Sequence, residues 1–314
     1  MREAVIVSVA RTPIAKAFRG AFNDTEAPAL SGHAVRHAVA RARLEQGEID
    51  DVILGCSAQQ GTQGYNIGRL TAAAAGLPVS VSGMSLDRMC SSGLMAVATA
   101  AKQIIFDGME IVVAGGVESI SLTQNKHKNT HRARSQTVIA NWPHMYMTMI
   151  ETAEIVASKY GVSREAQDEF ALASHLRTAA AQLAGRFDEE IVPLETVKLV
   201  IDKETKETRS ETVTLLQDEG FRADTTLQGL AKLPPVFADG EVVKVGQHIT
   251  AGNSSQLSDG AAAMVVMEAA EAKRRGLTAL GAYRGMTVSG VAPEEMGIGP
   301  VLAVKKLLAQ HGLR

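Results

Sequence analysis

Along the N-terminal part of the chain, short β-branched runs alternate with alanine-rich helical patterns. Val5 to Val9, Asp51 to Gly55, Val81 to Leu86 and Ile111 to Ala114 read as strands, and Ala262 to Val266 repeats the pattern far downstream. Gly32 to Arg43, Tyr65 to Ala75 and Leu94 to Phe106 read as the helices between them. Strands that are apolar throughout need cover on both faces, so this alternation predicts an α/β sheet packed between helices. At 314 residues and 46% hydrophobic content, the chain is long enough for one large or two ordinary domains.

The middle of the chain changes character after Glu118. From Ser119 to about Gly246 it is richer in polar residues, with a long helical pattern from Ser163 to Ala184 and a polar stretch from Asp202 to Glu211. An excursion of this kind between core strands predicts an inserted subdomain. After Gly276 a strand, Leu280 to Val288, and a helix, Gly299 to Gly312, are expected to open a further unit.

Charge excludes some functions. With 32 basic and 34 acidic residues the net charge is −2, which directs no field toward nucleic acid or an anionic membrane. The basic cluster Lys126, Lys128, Arg132 and Arg134, with His127 and His131, lacks interleaved aromatics and reads as a solvated or partner-facing loop. The first residues form a short apolar strand between charges rather than a signal peptide, and no apolar run reaches the ~18 residues a membrane span needs. A cytoplasmic protein, or the mature form of an organelle protein, is the expectation.

Two cysteines far apart make neither a disulfide framework nor a metal site. Cys90 lies in Arg88-Met89-Cys90-Ser91-Ser92-Gly93, where a strand gives way to a helix. Unpaired backbone N–H groups at a helix start favour thiolate, the reactive form, so Cys90 is a candidate nucleophile. Ser91 and Ser92 are expected to cap that turn, and Gly93 to permit close approach. A buried, inert cysteine is the competing reading, and Cys56, at the end of an apolar strand, exemplifies it. Other segments are less specific. Arg11-Thr12-Pro13 reads as a turn with a solvated arginine, Gly115-Gly116 as a glycine pair ending a strand, and Thr250 to Ala263 as a capped turn or ligand wall. His144 and His248 have no surrounding pattern that marks a catalytic base.

In combination these segments resemble the thiolases, the acetyl-CoA acetyltransferase and 3-ketoacyl-CoA thiolase family. The matching pieces occur in the family's order: Arg11-Thr12-Pro13-Ile14, Asn66-Ile67-Gly68-Arg69, Arg88-Met89-Cys90-Ser91-Ser92-Gly93 and Ala114-Gly115-Gly116-Val117-Glu118-Ser119. They continue through Glu151-Thr152-Ala153-Glu154, Ala231-Lys232-Leu233-Pro234 and Thr250-Ala251-Gly252-Asn253-Ser254-Ser255.

The resemblance implies a layered α-β-α-β-α fold of two similar βαβ halves. Residues 1–118 and 247–275 would form the first half, 119–246 a loop domain over coenzyme A, and 276–314 the start of the second half. It implies an acyl-cysteine mechanism at Cys90, with Arg222, Phe237 and Ser255 meeting coenzyme A. Acyl-CoA and CoA would be substrates, with no metal or prosthetic group, in a homodimer or homotetramer. Thr148-Met149-Ile150 stands where short-chain members often carry His-Met-Gly, which leaves longer 3-ketoacyl chains open. The family's Asn-Glu-Ala-Phe, Gly-His-Pro and Cys-x-Gly segments do not occur here. The expectation is therefore a chain lacking most of its C-terminal half, inactive by itself. A non-catalytic thiolase-like protein that binds acyl-CoA or a thiolase subunit is the alternative, and a ketoacyl synthase the more distant one.

Overall fold

The computed structural model describes residues 2–202 and 204–313. In chain order, β1 (Ala4–Arg11), β2 (Ala15–Lys16), α1 (Ala27–Arg41), β3 (Asp51–Gly55), α2 (Ile67–Ala74), β4 (Ser82–Leu86), α3 (Ser92–Lys102), β5 (Ile111–Ser119) and α4 (Ile120–Thr123) come first. Next are α5 (Gln136–Asn141), α6 (Met149–Tyr160), α7 (Arg164–Leu183), β6 (Leu194–Ile201) and β7 (Thr208–Leu215). The chain ends with α8 (Leu227–Ala231), β8 (Ser258–Glu268), α9 (Ala269–Arg274), β9 (Gly281–Ala282) and α10 (Gly299–Gln310). Internal contacts divide it into two units. One comprises the residues up to Lys128 with 186–220 and 256–284, the other 129–185, 221–255 and 285 onward.

The first unit is built on a mixed seven-stranded sheet in the order β4-β3-β5-β8-β1-β9, with β2 paired to β8. Strands β4, β3 and β5 are parallel, and β8 runs antiparallel to both β5 and β1. Apolar runs in β3, β5 and β8 put side chains on both faces. Val52, Leu54, Ile111, Val113, Val265 and Met267 pack with Leu30, Val35 and Val39 of α1. Between them in sequence, Ile53, Val112, Ala114 and Val266 face the other way, onto Ala96, Ala100 and Ala101 of α3 and onto Ile104. The run Met89–Asp107 has the length and hydropathy of a membrane span. Its alanine face is spent on the sheet, where small side chains let helix and strands approach closely.

The parallel register aligns three strand ends: Gly55 stands opposite both Leu86 and Gly116. In sheets of this class the carboxyl edge of the parallel strands is where ligands are met. Cys56 and the turn carrying Cys90 follow directly from β3 and β4 at that edge.

Several expectations need correction. Strand β5 runs on to Ser119, so Gly115 and Gly116 lie within it rather than ending it. A Cβ on Gly115 would sit 2.1 Å from the Ala262 carbonyl oxygen, so the glycine is required by strand packing, not phosphate. From Leu280 to Val288 only Gly281–Ala282 joins the sheet, pairing with Val5 and Ile6 at its edge. Arg11 is not solvated: its guanidinium binds both oxygens of Asp218, donates to Glu190 at 2.8 Å and lies over the Phe187 ring. Those partners flank an antiparallel hairpin, β6 with β7, in register from Leu194↔Leu215 to Ile201↔Thr208. The hairpin is also tied down along its length, by Asn23 to Leu199 and Thr25 to Thr196.

The second unit is mainly helical, with α7 its longest element and α6 and α10 equal in length after it. Thr148 and Ser163 cap these helices, each accepting a backbone N–H three residues on. Lys159 and Tyr160 at the end of α6 both bind Glu295, which fastens the 3₁₀ turn Pro293–Ile298 to that helix.

Candidate active site

Cys90 is exposed, the last residue but one before α3. Its turn is fixed by hydrogen bonds different from the expected caps. The Ser92 hydroxyl accepts from the Arg88 N–H at 2.8 Å and donates to the Met89 carbonyl at 2.6 Å, while the Ser91 hydroxyl donates to the Arg88 carbonyl at 2.9 Å. Neither serine caps the helix; both brace the loop in front of it. Met89 adopts the left-handed conformation at φ 48°, held by its N–H donating to Asp87. A strained residue immediately before a candidate nucleophile is the kind of backbone feature that concentrates at functional turns. Among the described residues, none is hydrogen-bonded to the Cys90 thiol.

Glycine sets where this turn can lie. A Cβ on Gly55 would stand 2.2 Å from the carbonyl carbon of Ser92 and 2.4 Å from the nitrogen of Gly93. The α3 start therefore rests on the bare backbone of the β3 end. Gly116 completes the contact, its missing Cβ lying 3.4 Å from the Gly93 Cα. The close approach expected at Gly93 is thus made possible by Gly55 and Gly116.

Behind the edge lies a buried polar cluster that composition and spacing did not indicate. Gln63 is fully buried; its amide donates to Glu118 and the Ala58 carbonyl, each at 2.9 Å, and to the Cys56 sulfur at 3.2 Å. Its carbonyl accepts the Ser119 N–H. The other Glu118 oxygen accepts from the Ser57 N–H, the Ser57 hydroxyl and the Ala58 N–H. The β3 and β5 ends are thereby locked together. Burial, and then the Glu118 charge, push the Cys56 thiol up to about 12.

The two cysteines should accordingly differ in reactivity. At pH 8 the Cys56 thiolate fraction is about one in ten thousand, and the residue is buried. Brief iodoacetamide treatment of the native protein is expected to alkylate Cys90 alone, with both cysteines modified after denaturation. Peptide mass mapping reads this directly, and early labelling of Cys56 would contradict the buried cluster.

Arg222, Phe237 and Ser255 all belong to the second unit, and Cys90 to the first. Arg222 and Ser255 are exposed and Phe237 is half-buried. No hydrogen bond links the three. The Arg222 N–H donates to His175 Nδ1 of α7 at 3.1 Å, leaving its guanidinium without a partner among the described residues. Phe237 opens an antiparallel excursion. The Gly246 N–H donates to the Phe237 carbonyl and the Val236 N–H to the Ile249 carbonyl, so the chain from 236 to 249 folds back on itself.

The segment before Ser255 is fixed from α7. Asp168, 2% exposed, accepts from Arg164 at 2.9 Å and from the Asn253 amide at 3.1 Å. That amide also donates to the His248 carbonyl, and the Asn253 oxygen accepts the Thr250 N–H. The Thr250 hydroxyl in turn accepts from Gly252 and Asn253, making the capped turn expected there. A Cβ on Gly252 would press on the side-chain ends of Leu230 and Leu233, both 2.5 Å away, so the turn packs directly against α8 and its C-terminal end. Glu151 and Glu154 of α6, both 2% exposed, hold the excursion itself. In the sequence they stand out only as the two ends of the Glu151-Thr152-Ala153-Glu154 segment, with no role attached.

Comparison with known proteins bears on this arrangement as a whole. The sequence pattern of one family, described as Thiolase, N-terminal domain, matches residues 4–270. The 3-ketoacyl-CoA thiolase of Bacillus subtilis is 43% identical, over 100% of this chain and 78% of its own length. Peroxisomal 3-ketoacyl-CoA thiolase B of Mus musculus is 40% identical, over 99% of this chain and 70% of its own. Among solved structures, the acetyl-CoA acetyltransferase of Bacillus anthracis superposes with a TM-score of 0.83 at 37% identity, covering 100% of this chain and 77% of that one.

Proposed function

Because this chain belongs to the thiolase family, we propose that it is an acyl-CoA acyltransferase working through an acyl-cysteine at Cys90. The observation that carries the reading is the exposed thiol on a braced turn, at the sheet edge where the three parallel strands end. The Cys90 thiolate attacks the acyl-CoA carbonyl, the CoA thiolate leaves, and the acyl group rests on the enzyme as a thioester. In thiolysis Cys90 attacks the 3-keto carbonyl of a 3-ketoacyl-CoA, the C2–C3 bond breaks, and acetyl-CoA leaves as its α-carbanion and takes up a proton. A CoA thiol then removes the shortened acyl group from the cysteine, regenerating its thiolate. The reverse is Claisen condensation, in which the α-carbon of a second acyl-CoA is the acceptor. Relatives named 3-ketoacyl-CoA thiolase support a 3-ketoacyl-CoA substrate, and Thr148-Met149-Ile150 leaves chains longer than acetoacetyl open. Arg222, Phe237 and Ser255 are the proposed CoA contacts: a guanidinium fork for phosphate, an aromatic wall, and a hydroxyl for the pantetheine amides. A homodimer or homotetramer is the proposed assembly.

The reading gives the Cys56 thiol no part in catalysis, since it is buried and neutral. Among the described residues no base is hydrogen-bonded to the Cys90 thiol. The same observation favours one alternative, a thiolase-like protein that binds acyl-CoA without turnover.

Intact mass separates the two. After incubation with acetyl-CoA, one acetyl adduct is expected on the wild-type protein and none on Cys90→Ser. Retention of the adduct in that variant would reassign the nucleophile, and an unmodified wild-type protein would leave the binding alternative.

A further inference from the structure

Backbone N–H groups of one irregular segment converge on two buried carboxylates of α6. The N–H groups of Val242 and Val243 donate to Oε1 of Glu151, at 2.6 and 3.0 Å. Those of Gln247, His248 and Ile249 donate to Glu154, where His248 reaches both oxygens at 3.1 Å. Glu154 thus accepts on Oε1 from His248 and Ile249 and on Oε2 from Gln247 and His248. Irregular backbone that leaves solvent must find such partners, and an ionised carboxylate accepts without offering a competing donor.

The excursion is shaped around these groups. A Cβ on Gly246 would stand 2.9 Å from Oε1 of Glu154, and one on Gly240 would stand 2.5 Å from Oε1 of Glu151. Once residues 247–249 are fixed, their neighbours follow. The Ile249 carbonyl receives Val236, the Phe237 carbonyl receives Gly246, and the His248 carbonyl receives the Asn253 amide. One side chain therefore sets the backbone at Phe237 and at the turn leading to Ser255.

We propose that Glu154 is a positioning residue whose ionised carboxylate holds the 236–255 segment in the shape that meets coenzyme A; this rests on the CoA reading above. Glu151 secures only the tip of the excursion, through one oxygen. Burial pushes the Glu151 carboxyl up, but the N–H groups of Val242, Val243 and Glu241 outweigh it and hold that carboxyl below its ordinary range. The two glutamates should therefore respond differently to the same change. In Glu151→Gln the amide oxygen can stay where Oε1 is and the amide nitrogen turns away. Glu154→Gln has no such option, because either orientation sets an N–H₂ against a backbone N–H.

The test pairs hydrogen exchange with calorimetric titration of coenzyme A itself on the full chain. E154Q is expected to speed amide exchange at 247–249 by about tenfold or more. It should also weaken CoA about tenfold, with the exchange of the β3 and β5 amides unchanged. E151Q should keep the slow exchange at 247–249. If E154Q does not fold, Glu154→Asp withdraws the carboxylate from the loop by one methylene and is expected to give both effects. Unchanged exchange at 247–249 in a folded E154Q or E154D protein overturns the proposal. Faster exchange with undiminished CoA affinity overturns its link to the ligand. A wild-type protein that binds no CoA defeats that link together with the reading it rests on, while the exchange result still decides what Glu154 holds.

Discussion

Alanine at position 55 is expected to lower the thermal midpoint by about 6–12 °C, the shift that roughly 3 kcal/mol produces in a unit of this size. The added methyl would lie within 2.4 Å of three backbone atoms, the Ser92 carbonyl carbon and oxygen and the Gly93 nitrogen, none of which can rotate away. Either β3 or the start of α3 must shift by about an ångström, and both are packed into the core. Because Cys90 hangs on the turn braced by Ser92, the shift is transmitted to the thiol. Gly55→Ala should therefore lose acyl-adduct formation even where it remains folded. Gly290→Ala is the matched control: nothing lies within 4 Å of its new Cβ, and a change within about 0.5 kcal/mol is expected. Differential scanning fluorimetry with intact mass on both variants gives the comparison, and a Gly55→Ala protein as stable and reactive as wild type would show that the β3 end does not support the α3 start.

The second large effect is expected at Gln63. Gln63→Leu removes the acceptor of the Ser119 N–H and the donors to Glu118 and the Ala58 carbonyl, all within the protein. Stranding those groups costs about 3 kcal/mol, since a buried unpaired polar group costs ~1–3 kcal/mol and a charged one more. Gln63→Glu gives a sharper test. One of its oxygens can still accept from Ser119, but the other confronts the Glu118 carboxylate, so at neutral pH two like charges share the cluster. A proton shared between them restores the missing N–H, so the deficit relative to wild type should shrink as pH falls from 8 toward 5. A deficit that stays constant or widens over that range would mean that Glu118 does not carry the charge in this cluster. Urea titrations at several pH values measure it.

Strands β3, β5 and the later part of β8 were legible because burial on both faces gives them near-continuous apolar runs. The same rule explains two failures. Leu280 to Val288 is apolar enough for a strand but reaches the sheet only at its edge, where two residues pair with β1. The β6–β7 hairpin pairs over eight residues, yet half of its side chains are exposed, so its sequence reads as a polar stretch. Cys90 could be found because a thiol at a strand-to-helix turn is a local feature. The roles of Gln63, Glu151, Glu154 and Asp168 could not be, since neither an isolated polar residue nor a motif position announces burial. Their partners lie 55 residues away for Gln63 and Glu118, and 91 to 95 for the two α6 glutamates. The serines beside Cys90 show the limit of local rules: both had the composition of caps, and the turn before the helix claimed their hydroxyls instead.

Arg11 binds the chain on both sides of the β6–β7 hairpin, Glu190 before it and Asp218 after it, and backbone bonds from Arg11 and Ile14 to the same two ends reinforce the grip. Each strand of the hairpin is thus moored to the sheet without help from the turn that joins them. Covalent continuity between the two strands is consequently not what holds them to the sheet. The β6–β7 connection is therefore a place where evolution or an engineer could insert a foreign segment or move the termini and leave the anchoring of both strands intact.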